Sequence, residues 1–266
     1  MKNVKNYVVI MLFALVSYVA ISCSNEPVYL KQGNAEKVLG ANYKRRISIK
    51  IPKNVVAIGD DVFRGCEYLE NVKIPKNVKT IGKNAFRDCK YLENVIIPTG
   101  VRVIGTSAFV GCANLKSLEI PNSVNLSSAV FAECEKLTSV VLPAGLTHIP
   151  DLIFANCENL KTISIPGSVK HIKEKAFFGC HSLTDIKIPK NVVSIDADVF
   201  ANCKSLKTIT FEDTNNWVGV KVDSRRGRSD YEEIEVSDPA KNVELFTGKM
   251  HYNWYIRKEQ MGISKN

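Results

Sequence analysis

Residues Leu69–Phe86 read LENVKIPKNVKTIGKNAF, and this block returns along the chain with little change. It reappears as LENVIIPTGVRVIGTSAF at Leu92–Phe109 and as LTDIKIPKNVVSIDADVF at Leu183–Phe200. Its phenylalanine and cysteine positions each recur seven times: Phe63, Phe86, Phe109, Phe131, Phe154, Phe177 and Phe200, with Cys66, Cys89, Cys112, Cys134, Cys157, Cys180 and Cys203. The step is 23 residues, except for one step of 22 between Pro121 and Phe131. A fixed period of this length predicts a stacked repeat architecture.

The first part of each repeat has the alternation of a half-buried strand. Val72 and Ile74 point one way, whereas Asn71 and Lys73 point the other way. Pro75 ends the strand because proline has no N–H to give to a hydrogen-bond ladder.

The second part of each repeat returns the chain to the core. Turn-forming residues such as Asn77 follow the proline, and Val78 and Ile81 then point inward again. Phe86 and Cys89 follow at three-residue spacing, which favours a tight helical turn. One repeat is therefore predicted as strand, turn, short extended piece and helical turn, which is too small to fold without stacked neighbours.

The frame L-x-x-V-x-I-P-x-x-V-x-x-I-G-x-x-A-F-x-x-C resembles the BspA-like (TpLRR-type) leucine-rich repeat of bacterial surface proteins, over about residues 47–211. The resemblance implies a right-handed α/β repeat solenoid of seven repeats. Its parallel β-sheet would lie on the concave face, with turns or short helical pieces on the other side. It also implies surface display and adhesion to host or matrix proteins. The frame's turn glycine is replaced in the later repeats by Ser127, Pro150, Lys173 and Asp196.

The N-terminal segment is typical of an export signal. Lys2 and Lys5 precede the apolar stretch Tyr7–Ala20, whose 14 residues are fewer than a membrane span of roughly 20 needs. Ala20-Ile21-Ser22-Cys23 resembles a bacterial lipobox, which predicts lipidation at Cys23 and a lipid-anchored protein of the cell envelope or surface. An ordinary signal peptide cut nearby, or an uncleaved anchor, remains the alternative.

Four regions follow from these patterns. They are a signal peptide at 1–22, an N-terminal linker or cap at 23–46, the solenoid at 47–211 and a C-terminal cap or tail at 212–266. In the last region, Trp217 is expected to cover the final repeat. Asp238-Pro239 is expected to start a helix that runs to about Phe246. We expect the closing aromatic residues 252–255 to pack onto the cap rather than to form a sugar-binding platform.

The remaining reactive side chains favour structural roles. The repeat cysteines lack a C-x-x-C pair and share one inward column, so we expect free core thiols, although stacking would also allow disulfides. His148 and His171 share a column without a third ligand, so we expect surface histidines and no metal. With no glycine-rich phosphate loop and no visible Ser–His–Asp or Cys–His set, we expect neither enzyme activity nor a cofactor.

The net charge of +9 is a moderate basic excess spread along the chain. Nucleic-acid binding would need a basic stripe with interleaved aromatic residues or a known module, and neither is visible in the sequence. We therefore expect no nucleic-acid partner.

The expected function is a scaffold that binds a protein of the host, matrix or envelope through the outward face of the first strands. Two columns form this face: Ser48, Asn71, Asn94, Ser117, Ser139, Thr162, Asp185 and Thr208 in one, with Lys50, Lys73, Ile96, Glu119, Val141, Ser164, Lys187 and Thr210 in the other. Ile96 and Val141 would place apolar groups near the middle of a polar surface. The alternative is a structural envelope or cell–cell spacer without a strong ligand.

Overall fold

The chain forms about seven coils, about 23 residues apart, built mainly from short parallel strands. The computed structural model describes residues 7–9, 19–20, 29–30, 47–51, 55–223, 228–249 and 254–258. The predicted parallel solenoid is confirmed, and within these ranges its coils contain turns in place of helix.

Each coil except the one at residues 161–166 opens with a first strand, formed by the L-x-x-V-x-I part of the repeat. The first strands are Ile47–Lys50, Leu69–Lys73, Asn94–Val95, Ser117–Glu119, Ser139–Val141, Asp185–Ile188 and Thr208–Phe211. Their register is in phase with the repeat, so that Ser117 lies opposite Ser139. Tyr7–Val9 pairs in parallel with Ser48–Lys50, while Val19–Ala20 and Tyr29–Leu30 pair with each other.

The ladder of first strands has two breaks, whereas we expected one continuous sheet. No ladder among the described strands joins Asn94–Val95 to Ser117–Glu119, and residues 161–166 form no strand. The Lys161 N–H donates to the Thr138 carbonyl at 3.4 Å, which is too long for a strong bond. The coils stay stacked across both breaks because their turns are bonded to each other.

A second strand in each coil forms a second sheet. These strands are Ala57–Ile58, Thr80–Ile81, Val103–Ile104, Asn125–Leu126, His148–Ile149, His171–Ile172 and Ser194–Ile195. Most coils place two outward residues between the inward ones, as Arg102 and Val103 do between Val101 and Ile104. The shortened repeat retains only Asn125 there, and the second sheet divides after this strand.

The turn side of each coil contains two residues in the left-handed conformation. The first column is Asp61, Asn84, Ser107, Ala129, Leu152, Lys175 and Asp198, and the second is Gly65, Asp88, Gly111, Glu133, Asn156, Gly179 and Asn202. These residues end each turn before a helix can form, because an α-helix needs an uninterrupted right-handed backbone. N–H groups such as that of Phe86 then donate to the next coil, here to the Ala108 carbonyl at 2.8 Å.

Stacked phenylalanines form the centre of the core. The seven rings from Phe63 to Phe200 are buried, and neighbouring ring centroids lie 5.1–5.9 Å apart in nearly parallel planes. Cysteines join each coil to the one before it. For example, the Cys89 thiol donates to the Phe63 carbonyl at 3.0 Å, and the Cys112 thiol donates to that of Phe86 at 3.2 Å. Cysteine therefore fills the column with an apolar side chain that also satisfies a buried carbonyl.

The C-terminal cap closes the last coil. Strands Trp217–Asp223 and Arg228–Glu233 pair antiparallel, and Trp254–Lys258 inserts between the first of them and Ser194–Ile195. By pairing with Ser194–Ile195, the cap covers the last edge of the second strands, which protects this edge from pairing with strands of other molecules.

A short helix covers the final first strand. The α-helix spans Pro239–Glu244 and continues as a π-helical turn at Leu245–Lys249. Asp238 caps its start as predicted, accepting from the N–H groups of Ala240 and Lys241. Trp217 covers the last repeat, also as predicted, since it is buried edge-on against Phe211 at 5.1 Å.

Candidate protein-binding face

The first-sheet face is the surface formed by the two outward columns predicted above. Ser48, Asn71 and Thr208 on this face are half-buried, and the side chain of Lys50 lies outside the described residues. The other members are exposed: Asn94, Ser117, Ser139, Thr162, Asp185, Lys73, Ile96, Glu119, Val141, Ser164, Lys187 and Thr210. The structure therefore brings the predicted residues onto one side of the coils.

The middle of the first-sheet face combines apolar and acidic side chains. Ile96 is 82% exposed and Val141 is 61% exposed. Glu119 belongs to the coil between them and lies directly opposite Val141 in the strand register. Three adjacent coils thus present an isoleucine, a carboxylate and a valine on a backbone that tertiary packing holds in place.

The C-terminal end of the same face is occupied by its own contacts. Thr208 donates a hydrogen bond to Asp185 at 2.6 Å, which lowers the pKa of that carboxyl group, and Thr184 adds to the effect. Lys187 pairs with Glu212 at 2.7 Å. Polar groups that are already satisfied have less to offer a partner, so the middle of the face is the stronger candidate for binding.

A second outward surface was not recognised as a candidate from the sequence. The second-sheet face consists of the exposed and half-buried residues Val56, Ala57, Lys79, Thr80, Arg102, Val103, Asn125, Thr147, His148, Lys170, His171, Val193 and Ser194. It contains no acidic residue, and Val56 is 60% exposed. The sequence could have indicated this face through the pair of residues that lies between the inward Val and Ile of each repeat. In several coils this pair is basic or apolar.

The two histidines of this face lie side by side, His148 opposite His171 in the register. His171 Nδ1 is 2.9 Å from the Ser194 hydroxyl oxygen. Partial burial lowers the pKa of His171, and Lys173, His148 and Lys170 lower it further, while Asp196 opposes them. The described residues contain no group of three potential metal ligands, so this pair has no third ligand among them.

The cysteines of the repeats are free, buried thiols, as predicted. Burial raises the pKa of Cys157 and Cys203 to about 12. Thiolates are the reactive form of cysteine, so these groups remain inert at neutral pH. The column is structural and does not supply a nucleophile.

Two further aromatic features lie at the surface of the chain. Tyr68 and Tyr91 stack with ring centroids 5.6 Å apart, so each ring covers a face of the other. In the closing aromatic segment, Tyr255 is half-buried, and the side chains of residues 252–254 lie outside the described residues.

The predicted lipidation site, Cys23, and most of the predicted signal peptide at 1–22 also lie outside the described residues. Among the residues that are described, none of the helices has the length and apolar character to cross a bilayer.

Comparison with known proteins identifies the repeat type. The sequence profile of the "BspA type Leucine rich repeat region" matches residues 42–158 and 125–222 with six copies, together about two thirds of the chain. None of the curated protein sequences matches this chain.

Crystal structures of bacterial leucine-rich repeat proteins, including the following two, are similar to this chain. A leucine-rich repeat protein of T. pallidum (TpLRR) shares 29% identity over 60% of this chain and 78% of its own, with a TM-score of 0.56. A leucine-rich cell surface protein of Faecalibacterium prausnitzii A2-165 shares 32% identity over 86% of this chain, with a TM-score of 0.63. The chain spans 62% of the length of that second protein.

Proposed function

The chain belongs to the BspA-type leucine-rich-repeat family, and we propose that it is a cell-surface or envelope scaffold that binds another protein through its first-sheet face. The partner would be a protein of the host, the extracellular matrix or the envelope. The observation that carries the proposal is the exposure of Ile96 and Val141 on either side of Glu119.

Packing and exposure support this choice of surface. An apolar centre surrounded by a polar rim, on an ordered face, is the usual arrangement of a protein interface. Ile96 and Val141 follow inward residues, Val95 and Val140, that are buried. A partner would therefore bind to apolar groups that are already in place, and this chain would lose little conformational entropy on binding.

Surface display is supported by the F. prausnitzii relative, which is described as a cell surface protein. Here we propose that residues 1–22 direct export and that Cys23 carries the lipid anchor. Mass spectrometry of the N-terminal peptide of the chain from its native cells tests this. A lipid-modified peptide starting at Cys23 is expected, whereas an unmodified Cys23 in a chain that starts elsewhere would contradict the anchor.

A double substitution tests the binding face. Ile96→Glu with Val141→Glu places two charges in the apolar centre and should abolish capture of matrix or envelope proteins while leaving folding intact. The matched control is Val56→Glu with Val193→Glu, which alters exposed valines on the second-sheet face. Circular dichroism and thermal melting verify the fold of both variants.

Immobilised parent and variant chains are compared for capture of purified matrix proteins and of envelope extract, identified by mass spectrometry. A partner lost by the first variant and kept by the control is the expected result. Equal capture by all three chains would move the site off this face. Capture of no specific partner by the parent would favour the spacer function.

A further inference from the structure

We propose that the second-sheet face binds an acidic linear polysaccharide, a sugar polymer that carries carboxylate or sulfate groups. This site lies on a different surface from the proposed protein-binding face and does not depend on it. The inference starts from the charge of the face, which is basic at Lys79, Arg102 and Lys170 and includes no acidic residue.

The positive charge of this face is not balanced by carboxylates of neighbouring coils. Some lysines on other surfaces do pair with such carboxylates, as Lys90 does with Glu67 at 3.3 Å and Lys116 with Glu93 at 3.2 Å. Lys79, Arg102 and Lys170 form no salt bridge with any residue in the described ranges. Uncompensated charge of one sign attracts ligands of the opposite sign.

Arg102 is also held in place before any ligand binds. Its Nη1 atom donates to the carbonyl oxygens of Thr99, Val101 and Gly100, at 2.9, 3.1 and 3.3 Å. These bonds order the side chain without neutralising its charge. A preordered guanidinium binds an anion with a smaller entropy cost than a free side chain does.

The neighbouring side chains favour sugars among the possible polyanions. Thr80, Asn125 and Thr147 provide hydroxyl and amide groups that can bond to sugar hydroxyls, and the exposed valines can pack against C–H faces. The face contains no Phe, Tyr or Trp side chain on which a nucleobase could stack. It also contains no long apolar side chain of the kind that inserts into a bilayer surface.

The spacing of the cations favours a polymer over a small anion. Lys79 and Arg102 lie in adjacent coils, and Lys170 and the two histidines form a second cluster beyond the shortened repeat. At about 4.8 Å per coil, Lys79 and Lys170 are roughly 19 Å apart. A single small anion cannot contact both clusters, whereas a chain of several sugars can gain affinity from both.

Retention of the full-length chain on immobilised heparin and on alginate tests the proposal, with neutral dextran as the negative probe. The triple variant Lys79→Gln, Arg102→Gln and Lys170→Gln should bind about tenfold more weakly than the parent. The matched control removes the same charge from other exposed positions: Lys76→Gln, Lys161→Gln and Lys207→Gln. This control should bind within about twofold of the parent.

The outcomes distinguish a specific binding site on the second-sheet face from attraction by the net positive charge of the chain. Selective loss in the face variant, together with weaker binding of oligosaccharides too short to span both clusters, supports the site. Equal loss in the face and control variants would overturn it, because net charge alone would then explain retention. Face-dependent binding of duplex DNA or of phosphatidylglycerol vesicles, without binding of either polysaccharide, would also overturn it.

Discussion

The repeats and the C-terminal cap both bury aromatic rings, but they hold them by different means. In the repeats, each contact recurs: Phe86 stacks on Phe109 at 5.1 Å, as Phe63 does on Phe86. In the cap each contact occurs once, and Phe246 meets Phe200 edge-on, with centroids 5.8 Å apart. The repeats therefore distribute their stability over similar interfaces, whereas the cap depends on individual residues.

Alkaline pH should separate the two regions most strongly, because every described cysteine lies in the repeats. Burial raises the pKa of six thiols: Cys89, Cys112, Cys134, Cys157, Cys180 and Cys203. Unfolded thiols lose their protons from about pH 9 while folded thiols keep theirs, so the free energy of unfolding falls above this pH. The fall at pH 10 should be about 1.4 kcal/mol per thiol, roughly 8 kcal/mol for six.

Urea unfolding at pH 8 and pH 10, followed by circular dichroism, measures this effect. The variant Cys157→Ala should lose about 1.4 kcal/mol less than the parent between the two pH values, since it has one buried thiol fewer. Equal unfolding free energies of the parent at both pH values would show that the thiols are not protected by the core.

The next largest effect is expected from the aromatic stack at the shortened repeat. Phe131 lies between Phe109 and Phe154, with centroids 5.8 and 5.9 Å away. Phe131→Ala should lower the free energy of unfolding by about 3–5 kcal/mol, because it opens a cavity in the stack. Chemical denaturation checks this, and a loss below about 1 kcal/mol would mean that the neighbouring rings collapse into the space.

In the cap, the corresponding test concerns a single amide. Asn242 is buried, and its Nδ2 donates to the carbonyls of Ile209 at 2.7 Å and Val236 at 3.0 Å. Asn242→Leu retains the approximate shape but removes both donors, so it should cost about 1–3 kcal/mol. Limited proteolysis should then cleave the cap before the repeats, and simultaneous cleavage of both regions would contradict their independence.

The smallest effect is a gain in stability on the turn side. Leu152 is 39% exposed and has a φ angle of 56°, a conformation that suits asparagine or glycine better than leucine. Leu152→Asn should raise the free energy of unfolding by about 1 kcal/mol. The reverse change at the exposed left-handed residue Asn156, Asn156→Leu, should lower it by a similar amount. Thermal melting checks both changes. A lower melting temperature for Leu152→Asn than for the parent would show that Leu152 is stabilised by contacts of its own.

The repeats were predictable because one set of residues specifies each feature many times. Alternation around Val72, the strand end at Pro75 and the inward Phe86 column are all confirmed by the structure. The three-residue spacing at Phe86 and Cys89 takes the form of successive turns rather than a helix. Spacing alone cannot distinguish a helix from turns separated by left-handed residues. Asp88 and Asn156 carried that signal, because both types tolerate the left-handed conformation.

The cap and the candidate faces were less predictable because their contacts are long-range and occur once. Asp238 marked the helix start through a local pattern, but the bond from Asn242 to Ile209 joins residues 33 positions apart. The outward direction of Ile96 and Val141 followed from strand alternation. The unpaired state of Lys79 could not be seen in the sequence, since it depends on which carboxylates the coils bring near.

The thiol-to-carbonyl bond between neighbouring coils has an evolutionary consequence. Each coil donates through its cysteine to the coil before it and accepts from the coil after it, as Cys134 does with Phe109 and Phe131 with Cys157. A gene duplication or deletion of one whole coil would therefore leave both flanking coils with matching partners. The array can lengthen or shorten by recombination without redesign, and only a change at the boundary with the cap would need compensating mutations.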